Sequence, residues 1–332
     1  MILFLASVIE QLDLALEHIN KGDVHNARFG LMLADNAIEL VLHQIAKDKS
    51  SELQMYSFTE ETSPHQRALD KALRRSFDAK VKFAKLDKGM SDELAQTITI
   101  LHEYRNEVYH IGLKHESILH ALSLFYFDVT CTFLESYQPR FLGWGSDMQM
   151  PERAMKYFGK SKYMSGGFDV FPKSCRTMRE ACKFDPRETV VALADEMDRI
   201  IEEHDNNIDI IAGGVYVGQK TTRDKAVVDI QSWRLAFTEE GKSFGREQGF
   251  DGNLFEAVEW LKQTYPFQYK KDPIPSWRAV AAKIRSKKNP HVALSNFQSF
   301  IAATADIREI FDEAATAVDR EIDLAVDRAR GK

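Results

Sequence analysis

The chain has 332 residues, 44% of them hydrophobic, which is enough for two units with apolar cores. Its net charge of −6 and pI near 6.0 argue against a protein that coats nucleic acid through bulk electrostatics. Three cysteines without zinc-ligand spacing indicate neither a disulfide framework nor a metal site, and no apolar run is long enough to predict a membrane span. We therefore expect a cytoplasmic protein without a bound cofactor or metal and without a membrane partner.

Two amphipathic helices are predicted at the start of the chain. The first covers residues 2–19, and Glu10 and Asp13 interrupt it where the apolar region of a signal peptide would be continuous. The second runs from about Val24 to Lys47. In both, apolar residues recur at alternating spacings of three and four, which is the pattern of a helix with one buried face.

A basic segment follows, from His65 to Lys88, with eight Lys and Arg residues against three Asp. One interpretation is a solvated helix face, because helix surfaces are usually charged. The other is an RNA-binding surface, because the segment lies close in sequence to Arg105 and His110, two residue types suited to handling the phosphates of RNA. The residues we expect to contact RNA are Arg67, Lys71, Arg74 and Arg75.

Two further helices complete the first predicted domain, residues 1–138. Ser91 is a candidate N-cap for a helix that runs to about Ile111. The next, residues 118–134, has Asp128 as its only formally charged residue, so it is either the central helix of a bundle or part of a dimer interface. We predict an antiparallel bundle of about five helices.

The rest of the chain is predicted as a linker and a second domain. Residues 139–186 are rich in Gly and Pro and predict an irregular linker. Residues 187–332 predict a mostly helical domain of unknown role, with a possible short β-hairpin from residues 208–218 and 225–230 and a loop at 239–253. The predicted fold class is mainly α, with a helical bundle followed by this second, mostly helical domain.

The segment Arg105-Asn106-Glu107-Val108-Tyr109-His110 carries the strongest functional signal. On an ideal helix His102, Asn106 and His110 lie within about 80° of one another, with Arg105 and Tyr109 beside them. Cleavage of RNA by its own 2′-hydroxyl needs groups that move protons and a fixed positive charge on the phosphate. Histidine and arginine supply these, and the reaction requires no metal ion.

Arg105, Asn106 and His110 match the R-x4-6-H signature of the HEPN superfamily, in which a polar residue usually follows the Arg. The segment from Ala27 to Leu40 also looks like the early helix of that family. Over residues 1–138 the chain therefore resembles a HEPN domain. The resemblance implies a metal-independent endoribonuclease, often a toxin or an anti-phage or abortive-infection effector. It also implies a homodimer in which two motifs share one cleft.

The resemblance implies the roles of the motif residues. His110 would be the proton-transfer group, Arg105 the phosphate clamp and Asn106 an orienting hydrogen-bond partner, with Tyr109 and His102 as secondary candidates. On the second helix, Asp35 and Glu39 are one turn apart. They either orient the Arg or the His, or belong to an exposed polar face.

Other functions have weaker support. A HEPN-type module could bind RNA or a nucleotide without cutting it. Residues 236–243 fit a loose P-loop pattern but carry two Glu where phosphate would bind, and residues 274–288 have a weak helix-turn-helix pattern. The acidic stretches, residues 188–209 and 306–330, suit a protein partner of the C-terminal domain, such as an antitoxin, better than nucleic acid.

Overall fold

A computed structural model describes residues 1–55, 65–110, 116–139, 149–159, 167–216 and 218–331. For Tyr109, His110 and Phe168 it describes the backbone but not the side chain. These residues form fourteen α-helices and one short 3₁₀ helix, with no β-strand among them, so the predicted mainly α fold class is confirmed.

The chain divides into two compact units that alternate along the sequence. Unit 1 contains Met1–Leu193 and Lys287–Ser295, and unit 2 contains Ala194–Ser286 and Asn296–Lys332. Two of the three divisions fall within long helices, α9 (Pro186–Gly213) and α14 (Pro290–Ala329), and the third lies just before α14. These bounds differ from a simple succession of an N-terminal bundle, a linker and a C-terminal domain.

Unit 1 is a helical bundle in which the predicted helices of the first 138 residues form. The N-terminal pair packs closely because residue 30 is glycine: a Cβ there would lie 2.3 Å from Cγ1 of Ile19. The helices of this unit, besides the parts of α9 and α14, are α1 (Ile2–Ile19), α2 (Val24–Met55), α3 (Gln66–Ala72), α4 (Phe77–Lys88), α5 (Asp92–His110), α6 (Glu116–Glu135), α7 (Glu152–Phe158) and α8 (Val170–Cys182).

Helix α6 lies at the centre of unit 1. It packs against α1, α2, α5 and α8, and buried side chains occur around most of its circumference. It is the one described helix that is long and apolar enough to cross a membrane, yet 67% of its most apolar window is buried within the protein. Burial of that kind fits the core helix of a soluble bundle.

The predicted linker at residues 139–186 is helical over much of its described length, so this prediction is corrected. It contains α7, the 3₁₀ helix Gly167–Asp169 and α8, and both α-helices pack on α1. The buried residues of α8 recur at helical spacing and form one apolar stripe. The Gly and Pro residues around this stripe made its helical period hard to recognise in the sequence. The apolar residues of the stripe are Phe171, Cys175, Met178 and Cys182.

Unit 2 is also all-helical in its described part. Trp277 forms its aromatic centre, with ring contacts to His204, Phe300 and Phe311. A second apolar cluster joins Leu235 and Ala236 to Val258 and Leu261, which lie two helices further along the chain. Besides its parts of α9 and α14, the unit contains α10 (Arg223–Phe237), α11 (Glu239–Glu247), α12 (Leu254–Thr264) and α13 (Ile274–Arg285).

Two predictions in unit 2 are wrong. The two segments of the proposed hairpin are helical: residues 208–213 continue α9, and residues 225–230 belong to α10. The other described residues of the first segment form the turn that ends α9. Isoleucine and valine suggested strands, but β-branched residues are tolerated in helices that pack well. The predicted loop at 239–253 contains α11, which starts at a Thr238 cap.

The acidic stretch of α9 forms ion pairs within unit 2. Arg223 binds Asp205, Asp209 and Asp272, at 2.5, 2.5 and 2.7 Å. Arg285 contacts Asp195 and Asp198. Much of the negative charge that the sequence shows on this helix is therefore compensated inside the unit.

Candidate active site

Helix α5 carries the sequence motif. Its predicted start is confirmed, since Oγ of Ser91 accepts a hydrogen bond from the backbone N–H of Leu94 at 3.2 Å. The helix runs from Asp92 to His110 and includes the backbone of all six motif residues. The side chains of Tyr109 and His110 lie outside the described residues.

The main polar group facing α5 is Asp35 of α2. Its carboxylate is fully buried, and its Oδ1 accepts hydrogen bonds from Nδ1 of His102 at 2.8 Å and from the hydroxyl of Tyr126 at 2.7 Å. Its Oδ2 lies 3.3 Å from Nε of Arg105. The interpretation of Asp35 as part of an exposed polar face is therefore wrong, and the residue contacts both the Arg of the motif and a histidine.

Arg105 is held by neighbours on two helices. Besides the contact with Asp35, its Nη1 donates a hydrogen bond to Oδ1 of Asn106 at 2.9 Å. The side chain keeps 26% of its surface exposed. A guanidinium fixed in this way on one side and reachable by solvent on the other can meet an anion with little loss of side-chain entropy.

The surroundings of His102 are those of a residue with a structural role. Its ring stacks on Phe77 of α4, with the centroids 3.6 Å apart and the planes inclined by 3°. The side chain is 15% exposed, and its Nδ1 is engaged with Asp35. These contacts fit a residue that joins α4, α5 and α2 better than one that exchanges protons with a substrate.

Tyr126 completes the cluster and was not identified from the sequence. Burial, followed by the neighbouring charge of Asp35, raises the pKa of Tyr126 well above its usual value. The hydroxyl therefore stays protonated and donates to the carboxylate. The sequence did contain a signal for it: Tyr126 is a phenol within an almost entirely apolar helix. A buried hydroxyl requires an acceptor, so a polar partner on another helix could have been expected.

Glu39 lies apart from the motif. Its Oε1 accepts a hydrogen bond from Nζ of the buried Lys80 at 2.6 Å, which joins α2 to α4. The side chain of Glu39 is 32% exposed. Of the two acidic candidates on α2, only Asp35 contacts Arg105 and His102 in the described structure.

The basic segment divides into paired and unpaired residues. Lys80 binds Glu39, Lys85 contacts Asp92 and Lys88 contacts Asp87. The other five are exposed, or nearly so, and form no ion pair with an acidic residue in the part of the chain that the structure describes. They are Arg67, Lys71 and Lys82 on α3 and α4, and Arg74 and Arg75 between those helices.

The P-loop pattern does not form the loop that phosphate binding needs. Gly241 of the P-loop pattern lies within α11, where its backbone N–H donates to Thr238, and a Cβ there would lie 2.2 Å from the carbonyl oxygen of Leu235. Glycine therefore serves helix packing at this position. In the helix-turn-helix pattern, Arg285 is paired with Asp195 and Asp198.

Among the described residues, no group of three or more His, Cys, Asp or Glu side chains is arranged to hold a metal ion. Comparison of the chain with protein-family models, curated proteins and solved structures finds no match.

Proposed function

We propose that the protein is a metal-independent endoribonuclease of the HEPN type. The observation that carries this proposal is the arrangement around Arg105, which is anchored to the buried Asp35 and to Asn106 on the helix that also bears His110. A cation positioned in this way is what a phosphodiester requires, and the histidine on the same helix supplies a group that titrates near neutrality.

In the proposed reaction, the 2′-hydroxyl of RNA attacks the adjacent phosphorus and the 5′-oxygen leaves. His110 transfers a proton, either from the attacking hydroxyl or to the leaving oxygen, and Arg105 stabilises the negative charge that gathers on the phosphate. Asn106 orients the guanidinium. One histidine in each chain serves both steps if two motifs share a cleft in a homodimer, as the family resemblance implies.

The biological role we propose is that of a toxin or an anti-phage effector acting on RNA in the cytoplasm. A protein partner at the C-terminal domain, such as an antitoxin, would restrain it. The resemblance to the HEPN superfamily supports this role.

The test is cleavage of mixed cellular RNA in the presence of EDTA by the purified wild type and by the variant His110→Ala. We expect cleavage by the wild type and a loss of at least about 100-fold in the variant, which is the usual contribution of general acid or base catalysis. The matched control is His25→Ala, because His25 is an exposed histidine of the same unit that is outside the motif. The His25→Ala variant should cleave RNA at the wild-type rate.

Undiminished cleavage by a folded His110→Ala protein would contradict the assignment, as would full dependence of the wild type on a divalent metal.

A second candidate is a non-catalytic HEPN-type module that binds RNA or a nucleotide, favoured by the unpaired basic residues of α3 and α4. Tight binding of RNA by the wild type without any cleavage product would support that function instead.

A further inference from the structure

A cavity of about 190 Å³ opens between α3 and α4, away from the contacts of Arg105 described above. Its lining residues are Arg67, Ala68 and Lys71 of α3 and Ala79 and Lys82 of α4. Arg67 and Lys71 are one helical turn apart, and so lie on one face of α3. The cavity is therefore lined by three cationic side chains and two small apolar residues.

Within the described residues, no acidic side chain forms an ion pair with the cations of this cavity. By contrast, Lys80, Lys85 and Lys88 of the same helix α4 all pair with acidic residues. The nearest carboxylate along α3, Asp70, accepts a hydrogen bond from Gln66. Like charges gathered around one cavity repel one another, and an anion between them would relieve that repulsion.

We infer that this cavity binds a backbone phosphate of the RNA substrate, at a nucleotide other than the one that is cut. The inference rests on the proposed function for its choice of RNA. Three cationic side chains from two helices can donate hydrogen bonds to the two non-bridging oxygens of a phosphodiester, and the small alanine side chains at 68 and 79 leave room for it. Such a contact positions a strand without reading its bases.

Lys82 extends the surface that the sequence predicts. The basic residues expected to contact RNA were those of residues 67–75, and the cavity joins two of these, Arg67 and Lys71, to a lysine on the next helix. Arg74 and Arg75 do not line it. The structure therefore divides these exposed basic residues into three that line one cavity and two that do not.

The test compares two triple variants that remove the same number of positive charges. The first is Arg67→Gln, Lys71→Gln and Lys82→Gln. The matched control is Arg28→Gln, Lys47→Gln and Lys173→Gln, which changes one Arg and two Lys of unit 1 that do not line the cavity. Glutamine keeps the helix propensity of lysine and arginine, so both proteins should fold.

Binding is measured with a single-stranded RNA in which every 2′-hydroxyl is methylated, so that 2′-hydroxyl attack cannot occur. We expect the cavity variant to bind about tenfold more weakly than the control. Its plot of log binding constant against log salt concentration should also be flatter by about 0.7 for each phosphate that the variant no longer neutralises.

Equal affinity and equal salt dependence of the two variants would overturn the inference, even for a protein that cuts RNA. Absence of binding by the wild type at low salt would also overturn it. The proposed function fails on a different result, which is the absence of cleavage of unmodified RNA. The wild type could bind RNA without cleaving it, while the cavity variant binds RNA more weakly than the control. That result would support the phosphate site and reject the nuclease activity.

Discussion

At the scale of single residues, Asp35 is the centre of the candidate site. Its buried carboxylate receives hydrogen bonds from His102 and Tyr126 and lies 3.3 Å from Nε of Arg105, so α2, α5 and α6 all contribute to one polar cluster. A carboxylate without such partners would be costly in the interior. The cluster therefore fixes the position of Arg105 while it joins three helices.

Replacing Asp35 with Asn removes the charge that faces Arg105. We expect the free energy of unfolding to fall by about 3 kcal/mol, because positive and polar partners are left around a neutral group. Cleavage under folding conditions should fall by about 100-fold, since a displaced guanidinium no longer meets the phosphate correctly. Urea unfolding and RNA cleavage assays measure the two effects separately.

Tyr126→Phe is the companion variant, because it keeps the charge of Asp35 and removes one donor. It should cost about 1 kcal/mol of stability and leave cleavage near the wild-type rate. Tyr216→Phe, at an exposed phenol of unit 2, should change stability by less than about 0.5 kcal/mol. If Asp35→Asn cut RNA as fast as Tyr126→Phe, Asp35 would have no role in positioning Arg105.

The sequence identified part of this cluster. The spacing of Arg105, Asn106 and His110 is local and can be read directly from the chain. The contacts of Asp35 with His102 and Tyr126 join residues 67 and 91 positions apart, and helical periodicity says which face a residue occupies but not what it meets. Asp35 could therefore be identified as a candidate, while its burial and its partner Tyr126 could not.

At the scale of elements, Asp13 of α1 is the main polar anchor of α7. The helix has seven residues and no side-chain cap at its start, so it is too short to be stable by itself. The carboxylate of Asp13 accepts hydrogen bonds from Arg153 and Lys156, each at 2.8 Å, and from Tyr157 at 2.7 Å. These bonds, together with the burial of two apolar residues, hold α7 against the bundle.

The stabilisation from Asp13 should depend on pH. Burial would raise the pKa of Asp13, but hydrogen bonds from Lys156, Tyr157 and Arg153 outweigh it, so the pKa is lowered. Because the folded pKa lies below the unfolded value of about 4, the stabilisation is present above that value and is lost as pH falls through the folded pKa. Asp13→Asn should therefore cost about 2 kcal/mol at neutral pH and less in acid.

Urea unfolding of the wild type and of Asp13→Asn from neutral to acidic pH measures this difference. Asp251→Asn, at an exposed position of unit 2, is the control and should change stability by less than about 0.5 kcal/mol. A gap between wild type and Asp13→Asn that stays constant down to the lowest pH would contradict the assignment of the effect to this carboxylate.

Elements with a clear apolar period were predictable, and those decided by packing were not. Helices α1, α2 and α5 begin within a residue or two of their predicted starts, because periodicity, the Ser91 cap and turn residues agree. Helix α11 contains two glycines that pack on or near other residues, which made it resemble a loop. The supposed hairpin failed because a few β-branched residues say little without long-range partners.

At the scale of the whole molecule, the first 138 residues are not a complete unit. Unit 1 also contains α7, α8 and residues 287–295, where His291 lies 2.8 Å from Oγ1 of Thr97 and its ring contacts Phe125. These contacts cover apolar surface of the bundle. The family resemblance thus extends over only part of the folded unit.

A chain that ends after residue 138 should therefore be poorly soluble and should bind a hydrophobic dye, because the face of α6 that packs on α8 is exposed. The control is a chain that ends at Arg320, since no residue described beyond Ala315 is buried. It should remain soluble and unfold like the full chain. A soluble 1–138 fragment with cooperative unfolding would show that the bundle is self-sufficient.

The alternation of the two units has a consequence for protein synthesis. The ribosome makes Ala194–Ser286 of unit 2 before it makes Lys287–Ser295, which unit 1 still needs. Nascent chains usually fold domain by domain from the amino terminus. Here the unit that bears Arg105 and His110 is complete only after Ser295 has been translated, so its maturation must wait until Ala194–Ser286 of unit 2 has been made.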